Sequence, residues 1–509
     1  MIPIKNFIKT LFSLTNSEHK QKNEEDHQVT PDKLISNIIE ENEKQLKKIF
    51  YNCFDITIRK INLFDSSGPK CLLVYINELV DENQLQSNVI SKLNMSQNVI
   101  LKNSNIENTI KYYLGVQDDN IFNEFNRCIN KILDGNVVLF LDTFNKAFSI
   151  SLKSQLDRTV SEPEAETVLR GPRDGFTESL SKNLAMLRGR VKNINLKTEM
   201  YTIGSETKTN FAIMYLSGTV DGKVLSELKT RLKKINLTAV ADTNYIVESI
   251  EDDTFDIFPL IFRTERPDVA TMKLFEGRVL IIMDKTPVVL SVPSLFVEYI
   301  QSPEDYYMKY FFATLNRWVR YLSFIITAVL PGLYVALVTF HQELIPTSLS
   351  ITIVNARTDI PLPAFFECLM LLITYEILRE AGSRMPKQIG QTLSIVGTLI
   401  IGEAAIRAGI VSAPMIIVVA FAGTALFTIP SPEIYTALSI IRLCFLILGS
   451  LFGMLGIVCC MLLLDIYLVS RRSFGIPYMY PICPFNFAKN RDTLLRTPLW
   501  QIDKKIKPL

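Results

Sequence analysis

The stretch that decides the fold is "YLSFIITAVLPGLYVALVTF", residues 321–340. It carries no charge, and 20 residues at about 1.5 Å each reach about 30 Å, the thickness of a bilayer's hydrocarbon core. Everything before it reads as water-soluble and nearly everything after it as lipid-soluble. Further apolar runs follow at 362–378, 392–409, 413–429 and 434–470. The last is too long for one upright crossing, but "LCFLILGSLFGMLGIVCCMLLL" (443–464) inside it is charge-free and fits one.

Basic residues set the expected orientation. Lys309, Arg317 and Arg320 precede the first run, Arg379, Arg384 and Lys387 follow the second, and Arg471 and Arg472 follow the last. These ends belong in the cytoplasm. The loop near Ser348 and "IPSPEIY" (429–435), poor in Lys and Arg, suit the outer side. We expect four full crossings with 392–409 as a re-entrant or broken element, rather than six in which the last run folds at Gly449, Gly453 and Gly456. Irregular backbone at that depth needs a protein or water-filled surround, which is where a conduction path would lie.

Charges inside these runs need partners or water. Glu403 and Arg407 are spaced i and i+4 and either pair on a helix or line an aqueous path. Glu367 and Glu376 raise the same question, whereas Arg442 and Asp465 are expected at the interface, where a long side chain snorkels. Pro331 and Gly332 remove a backbone hydrogen bond mid-span and mark a kink and candidate hinge. "GSLFG" (449–453) has the small-xxx-small spacing of closely packed membrane helices.

Upstream lies "SPEDYY" (302–307), built like a helix start: Ser302 as cap, Pro303 in the first turn, Glu304 and Asp305 complementing the helix dipole. The helix beginning there is expected to run through 301–320 into the first span. Tyr306 and Tyr307, with Tyr310, Phe311, Phe312 and Trp318, would form an aromatic belt at the headgroup level.

The preceding three hundred residues repeat themselves. "LVYINELVDENQLQSNVISKL" (73–93) and "IMYLSGTVDGKVLSELKTRLKKI" (213–235) both read as strand, Val-Asp break and amphipathic helix. "DGNVVLFLDTFNKAFSISL" (134–152) and "EGRVLIIMDKTPVVLSVP" (276–293) both read as acid-Gly, strand, Asp-containing turn and returning strand. The fold class is therefore α+β plus membrane: paired soluble α/β subdomains (31–160 and 191–300) joined by a linker (161–190), then a helical transmembrane domain (321–470). A mobile segment (1–30) and a cytoplasmic tail (471–509) flank them.

A net charge of +2 over 509 residues gives no reason to invoke nucleic acid. Eight scattered cysteines show neither zinc spacing nor a disulfide framework. With three histidines, no phosphate loop and no His-Glu-x-x-His, the chain offers no catalytic constellation, cofactor site or metal site.

Four motifs together carry a resemblance: 161–192, 264–307, 389–415 ("IGQTLSIVGTLIIGEAAIRAGIVSAPM") and 472–485 ("RSFGIPYMYPICPF"). They resemble the A-subunit family of spore germinant receptors over roughly residues 30–490. The resemblance implies a multi-pass protein of the spore inner membrane, with its soluble parts facing the spore core. It implies assembly with a transporter-like B subunit and a lipoprotein C subunit, and oligomerisation into a nutrient-gated ion channel; the alternative is a scaffold or transporter subunit without its own pore. The turn usually written Asp-Gly-x-Pro is Asp284, Lys285, Thr286, Pro287 here, which argues against a glycine-only backbone angle at 285. Tyr480 and Cys483 stand where smaller or apolar residues are frequent.

Overall fold

The computed structural model describes residues 34–62, 70–95, 111–154, 162–163, 165–168, 170–384, 402–486, 490, 492–498 and 500. The expected mobile start (1–30) and most of the expected re-entrant element (392–401) lie outside these residues.

The two echoing sequences fold as echoing sheets. The first holds β1 (Ile56–Asn62), β2 (Lys70–Ile76), β3 (Ile121–Phe122), β4 (Val137–Leu141) and β5 (Ala147–Ile150); the second holds β6 (Leu196–Ile203), β7 (Thr209–Leu216), β8 (Phe262–Thr264), β9 (Val279–Met283) and β10 (Val289–Val292). The spatial orders are β1-β2-β4-β5-β3 and β6-β7-β9-β10-β8, the same topology twice. Every pairing is antiparallel. The central strands β4 and β9 are buried along their whole length, which is why they read as unbroken apolar runs.

The Val-Asp breaks work as helix caps. Asp81 accepts hydrogen bonds from the N–H groups of Asn83 and Gln84, and Asp221 accepts from that of Lys223. After each acid-Gly pair the glycine sits in the left-handed region, Gly135 at φ +81 and Gly277 at φ +84. Both hairpin turns also need a positive φ, at Thr143 and at Lys285, each at φ +68. Lys285 therefore does adopt the angle its side chain argued against. Its N–H donates to the Glu178 carbonyl at 2.6 Å, and Asp284 accepts from the Leu180 N–H at 3.2 Å, so tertiary partners hold the turn in place.

The helices are numbered along the chain: α1 (Ile39–Ile49), α2 (82–95), α3 (Phe125–Leu133), α4 (Leu180–Arg190), α5 (Gly222–Lys234), α6 (Thr243–Ile250) and α7 (Pro267–Phe275). Between the sheets, α4 buries Leu180, Leu184 and Leu187 against the second sheet while Ala185 joins the first sheet's core. Arg188 on α4 pairs with Asp55 of the first subdomain, both fully enclosed. Residues 165–168 and 170–176, part of the stretch expected to link the subdomains, form a strap tied to the second. Glu166 accepts from Thr264 Oγ1 at 2.7 Å, and Arg266 donates to the carbonyls of Glu166 and Pro172.

Beyond the sheets come α8 (Glu304–Tyr307), α9 (Tyr310–Phe340), α10 (Thr347–Arg357), α11 (Ala364–Arg384), α12 (Gly402–Arg407), α13 (Ala413–Leu426) and α14 (Glu433–Ser470). Among the described residues, α9 and α14 are long and apolar enough to cross a membrane. The 38 residues of α14 would reach about 57 Å if straight. Yet both of its ends touch one surface: Glu433 pairs with Arg263 at 3.2 Å, and Arg471 pairs with Asp253 at 2.9 Å and Asp256 at 3.2 Å. The chain reverses at Gly453 (φ 61, ψ −139), giving antiparallel arms 433–452 and 454–470. A Cβ on Gly449 would lie 2.8 Å from Ile457 Cδ1, so the arms touch just behind the tip.

This corrects two expectations. The last run folds back on itself instead of making one crossing, and the loop 429–435 lies at the soluble end of the bundle, not the outer one. Ile434 is buried in the same cluster as Phe258 and Leu260. A loop without Lys or Arg reads as external only while its acid has no cation, and Glu433 finds Arg263 from a strand 170 positions earlier.

Candidate functional site

The soluble sheets, the first long helix and the carboxyl-terminal tail meet at residues 302–307. Here the structure departs from the simple capped helix. Pro303 is the cap residue, and Ser302 Oγ accepts from the Glu304 N–H at 3.4 Å instead of from that of Asp305. The helix ends after one turn: Met308 (φ −109, ψ 169) and Lys309 (φ −62, ψ 135) are extended, and α9 starts afresh at Tyr310. No continuous helix runs from 301 into the apolar run 321–340.

The reason is the place Asp305 occupies. Its carboxylate, 1 % exposed, accepts from Arg317 Nε at 2.9 Å and from Arg320 Nη1 at 3.0 Å. Those two arginines lie one turn apart on α9, so α8 must lie alongside the start of α9 to reach both. Arg317 also pairs with Asp492 at 3.3 Å. Tyr306 donates its hydroxyl to Asp492 at 2.6 Å, between the guanidinium groups of Arg317 (5.6 Å from the ring centre) and Arg496 (5.5 Å). Burial raises both the Tyr306 phenol and the Asp492 carboxyl above their ordinary values. Arg496 closes the knot, donating to the carbonyls of Asp305 at 3.1 Å and Tyr306 at 3.3 Å.

Tyr307 reaches the other way. Its hydroxyl donates to Asp268 at 2.6 Å, and Asp268 is itself paired with Arg266, the residue that ties down the strap. Its ring lies over Gly171 (φ +123), where a Cβ would come within 2.6 Å of it. Tyr306 and Tyr307 are thus anchors of the junction and not parts of an aromatic belt. Tyr310, Phe311, Phe312 and Trp318 do remain exposed.

The candidates within the bundle fall into three settings. Gly332 lets two backbones touch: a Cβ there would lie 2.5 Å from the Phe445 carbonyl oxygen. Pro331 lies inside α9, which continues through it as one 31-residue helix. Glu376 accepts from Arg442 at 2.5 Å and from Ser439 at 2.8 Å, and pairs with Arg379 at 2.7 Å. Arg442, expected to snorkel outward, is 2 % exposed because this carboxylate holds it inside. Glu403 and Arg407 pair with each other at 2.5 Å on an exposed face.

Sequence reasoning missed the role of Arg317 and Arg320, which it took as cations flanking a span, and that of Asp492 and Arg496 in the tail. It also left Glu367 without a partner; this carboxylate, fully buried, accepts from the Ser412 N–H at 2.6 Å. Two arginines at i and i+3 just before an apolar run are the signal that could have flagged a buried acid partner.

Family comparison settles the class of protein. The family model described as "Bacillus/Clostridium GerA spore germination protein" matches residues 44–507. The chain belongs to the GerA spore germination protein family. Spore germination protein KA of Bacillus subtilis (strain 168) is 39 % identical over 472 residues, covering 93 % of this chain and 87 % of that protein. The membrane protein YfkQ of the same organism is 39 % identical over 477 residues, covering 93 % and 92 %. The crystal structure of the N-terminal domain of the A subunit of the Bacillus megaterium spore germinant receptor GerK3 is 31 % identical and covers 52 % of this chain and 98 % of that one, with a TM-score of 0.42. The junction, from the strap to Arg496, lies wholly inside the part of the chain that matches the GerA family model.

Proposed function

We propose that this GerA-family chain is the A subunit of a spore germinant receptor that converts nutrient binding into ion release. It sits as a multi-pass protein in the spore inner membrane with sheets and tail on the core side. The B and C subunits of the receptor are its partners, nutrient binding belongs mainly to B, and several copies of this chain assemble into the conducting unit. In this reading the fold at Gly453 makes two crossings of the last run, which keeps both ends of the chain on one side.

One observation carries the coupling role: the soluble domain reaches the first membrane helix through a buried ionic knot, Asp305 with Arg317 and Arg320, and not through a flexible tether. A rigid connection transmits displacement, whereas a slack one absorbs it. Motion of the sheets passes through α8 to α9, and then through the Gly332–Phe445 contact to α14.

Two measurements test this. Substitution of Pro303 or Glu304, in spores holding normal amounts of the protein, should slow nutrient-triggered ion release; unchanged release removes α8 from the pathway. Ion flux through reconstituted protein, with and without partner subunits, should depend on Glu403 if the exposed pair with Arg407 faces an aqueous path. Absence of flux under every condition favours the scaffold reading.

A further inference from the structure

Beside the knot, the first turns of α9 and the tail enclose an open groove of about 490 Å³, lined by Tyr310, Phe311, Leu315, Trp318, Leu495 and Pro498. Its walls are almost wholly apolar, and Phe311 (70 % exposed), Trp318 (55 %) and Leu495 (51 %) face outward from it. Thr314, Arg496 and Thr497 supply the polar fringe. The indole N–H of Trp318 already donates to the Leu494 carbonyl at 3.0 Å, so the ring presents only its apolar surface to an occupant.

We propose that this groove is a phospholipid site, in which one acyl chain lies between α9 and the tail and the phosphate sits at the level of Lys309. Three features select this occupant. The groove opens onto a stripe of exposed Leu315, Leu322 and Ile325 at helical spacing, so an acyl chain entering it stays on one continuous apolar surface. It lies on the first turns of α9, on the headgroup side of the charge-free run 321–340, where tryptophan and tyrosine rings meet the boundary between headgroups and acyl chains. At the amino end of the α9 wall, next to Tyr310, Lys309 is exposed and offers a cation to a phosphate at that level.

The site is linked to the junction by shared parts. Leu495 forms a wall, and the next residue, Arg496, holds the carbonyls of Asp305 and Tyr306. A lipid that binds only the docked tail stabilises the knot, and by reciprocity the knot raises affinity for the lipid.

This inference rests on the membrane reading of α9, and the test separates the two. The chain has two tryptophans, so Trp500→Phe leaves Trp318 as the single tryptophan, excited selectively beyond the tyrosine absorption band, in full-length protein reconstituted in vesicles. Phospholipids brominated near the carbonyl end of the chain should quench Trp318 strongly, and those brominated near the methyl end weakly. Leu495→Asp, an exposed position, should cut that quenching by about half, because a carboxylate repels the acyl chain from the groove. A reporter on the lipid-facing stripe, Leu322→Trp in a Trp318→Phe, Trp500→Phe background, should be quenched whatever fills the groove. Quenching at 322 without quenching at 318 overturns the lipid site and means that protein, a second copy or a partner, covers the groove. Loss of both overturns the membrane reading as well. Quenching at 318 that Leu495→Asp leaves untouched also overturns the site, since the chain is then not in the groove.

Discussion

Asp305→Asn is the sharpest perturbation of the junction, because it removes one charge and almost no volume. Asp305 and Arg317 are both enclosed and Arg320 nearly so. Stripping one member from a buried ion pair costs about 3–5 kcal/mol, mostly from the charge left behind. Here the asparagine keeps one carbonyl to accept a hydrogen bond, and Arg317 keeps Asp492 at 3.3 Å, so the lower end, about 3 kcal/mol, is expected. That is a factor of about 150 in an equilibrium constant. The assay is unfolding of the full-length protein in detergent, run as a cycle with Arg320→Met. Arg320 contacts Asp305 through both carboxylate oxygens at 3.0 Å and should show a coupling of at least about 1 kcal/mol. The same loss should persist at high salt, since enclosed charges are poorly screened. A coupling within about 0.5 kcal/mol of zero, or one that salt abolishes, would refute the picture of a sealed knot.

Three other outcomes follow from the same structure. Gly332→Ala drives a Cβ into the Phe445 backbone, which cannot rotate aside, so α9 and α14 must separate at a cost of about 1–3 kcal/mol; a disulfide engineered across that contact in the wild type should then form more slowly in the variant. Arg188→Ala leaves Asp55 enclosed and uncompensated, and should lower the unfolding free energy by about 3–5 kcal/mol, whereas loss of the surface pair Lys47–Glu43 should cost under about 1 kcal/mol. Burial pushes the Glu166 carboxyl from 4.5 up to about 7. Between those values the folded chain keeps a proton that the unfolded chain has lost, so the stability Glu166 contributes is complete below 4.5 and fades as pH rises through about 7. Glu166→Gln should flatten that slope, by about 1 kcal/mol once solvent contact at this half-buried position is allowed for, in unfolding midpoints recorded from pH 5 to pH 8. An unchanged slope would mean that Glu166 is ionised in its bonded position.

How far the sequence reached depended on whether the deciding interaction was local. The breaks at Asp81 and Asp221 were legible because a change from strand to helix period is local, while their capping bonds came from the structure. The acid-Gly turns were legible because a left-handed angle is a property of one residue. The repeated order of strands followed, and so did the start of the apolar half at α9. Spacing put Glu403 and Arg407 one helical turn apart, within reach of the ion pair they form, but did not choose between pairing and an aqueous path. Asp305 could not be read that way: its partners are 12 and 15 positions away, and a break at Met308 brings them within reach.

By itself the sequence determined the two sheets with their helices and the long apolar helix after them, since these rest on periodicity and the absence of charge over 20 residues. Only the tertiary structure decided that α14 reverses at Gly453, that the loop before it lies at the soluble end, and that the tail locks the junction. Each of those depends on a charge meeting its counterion across more than a hundred residues of chain. Such a meeting has no period or local signature, because its free energy comes from shared burial and exists only once both surfaces have folded.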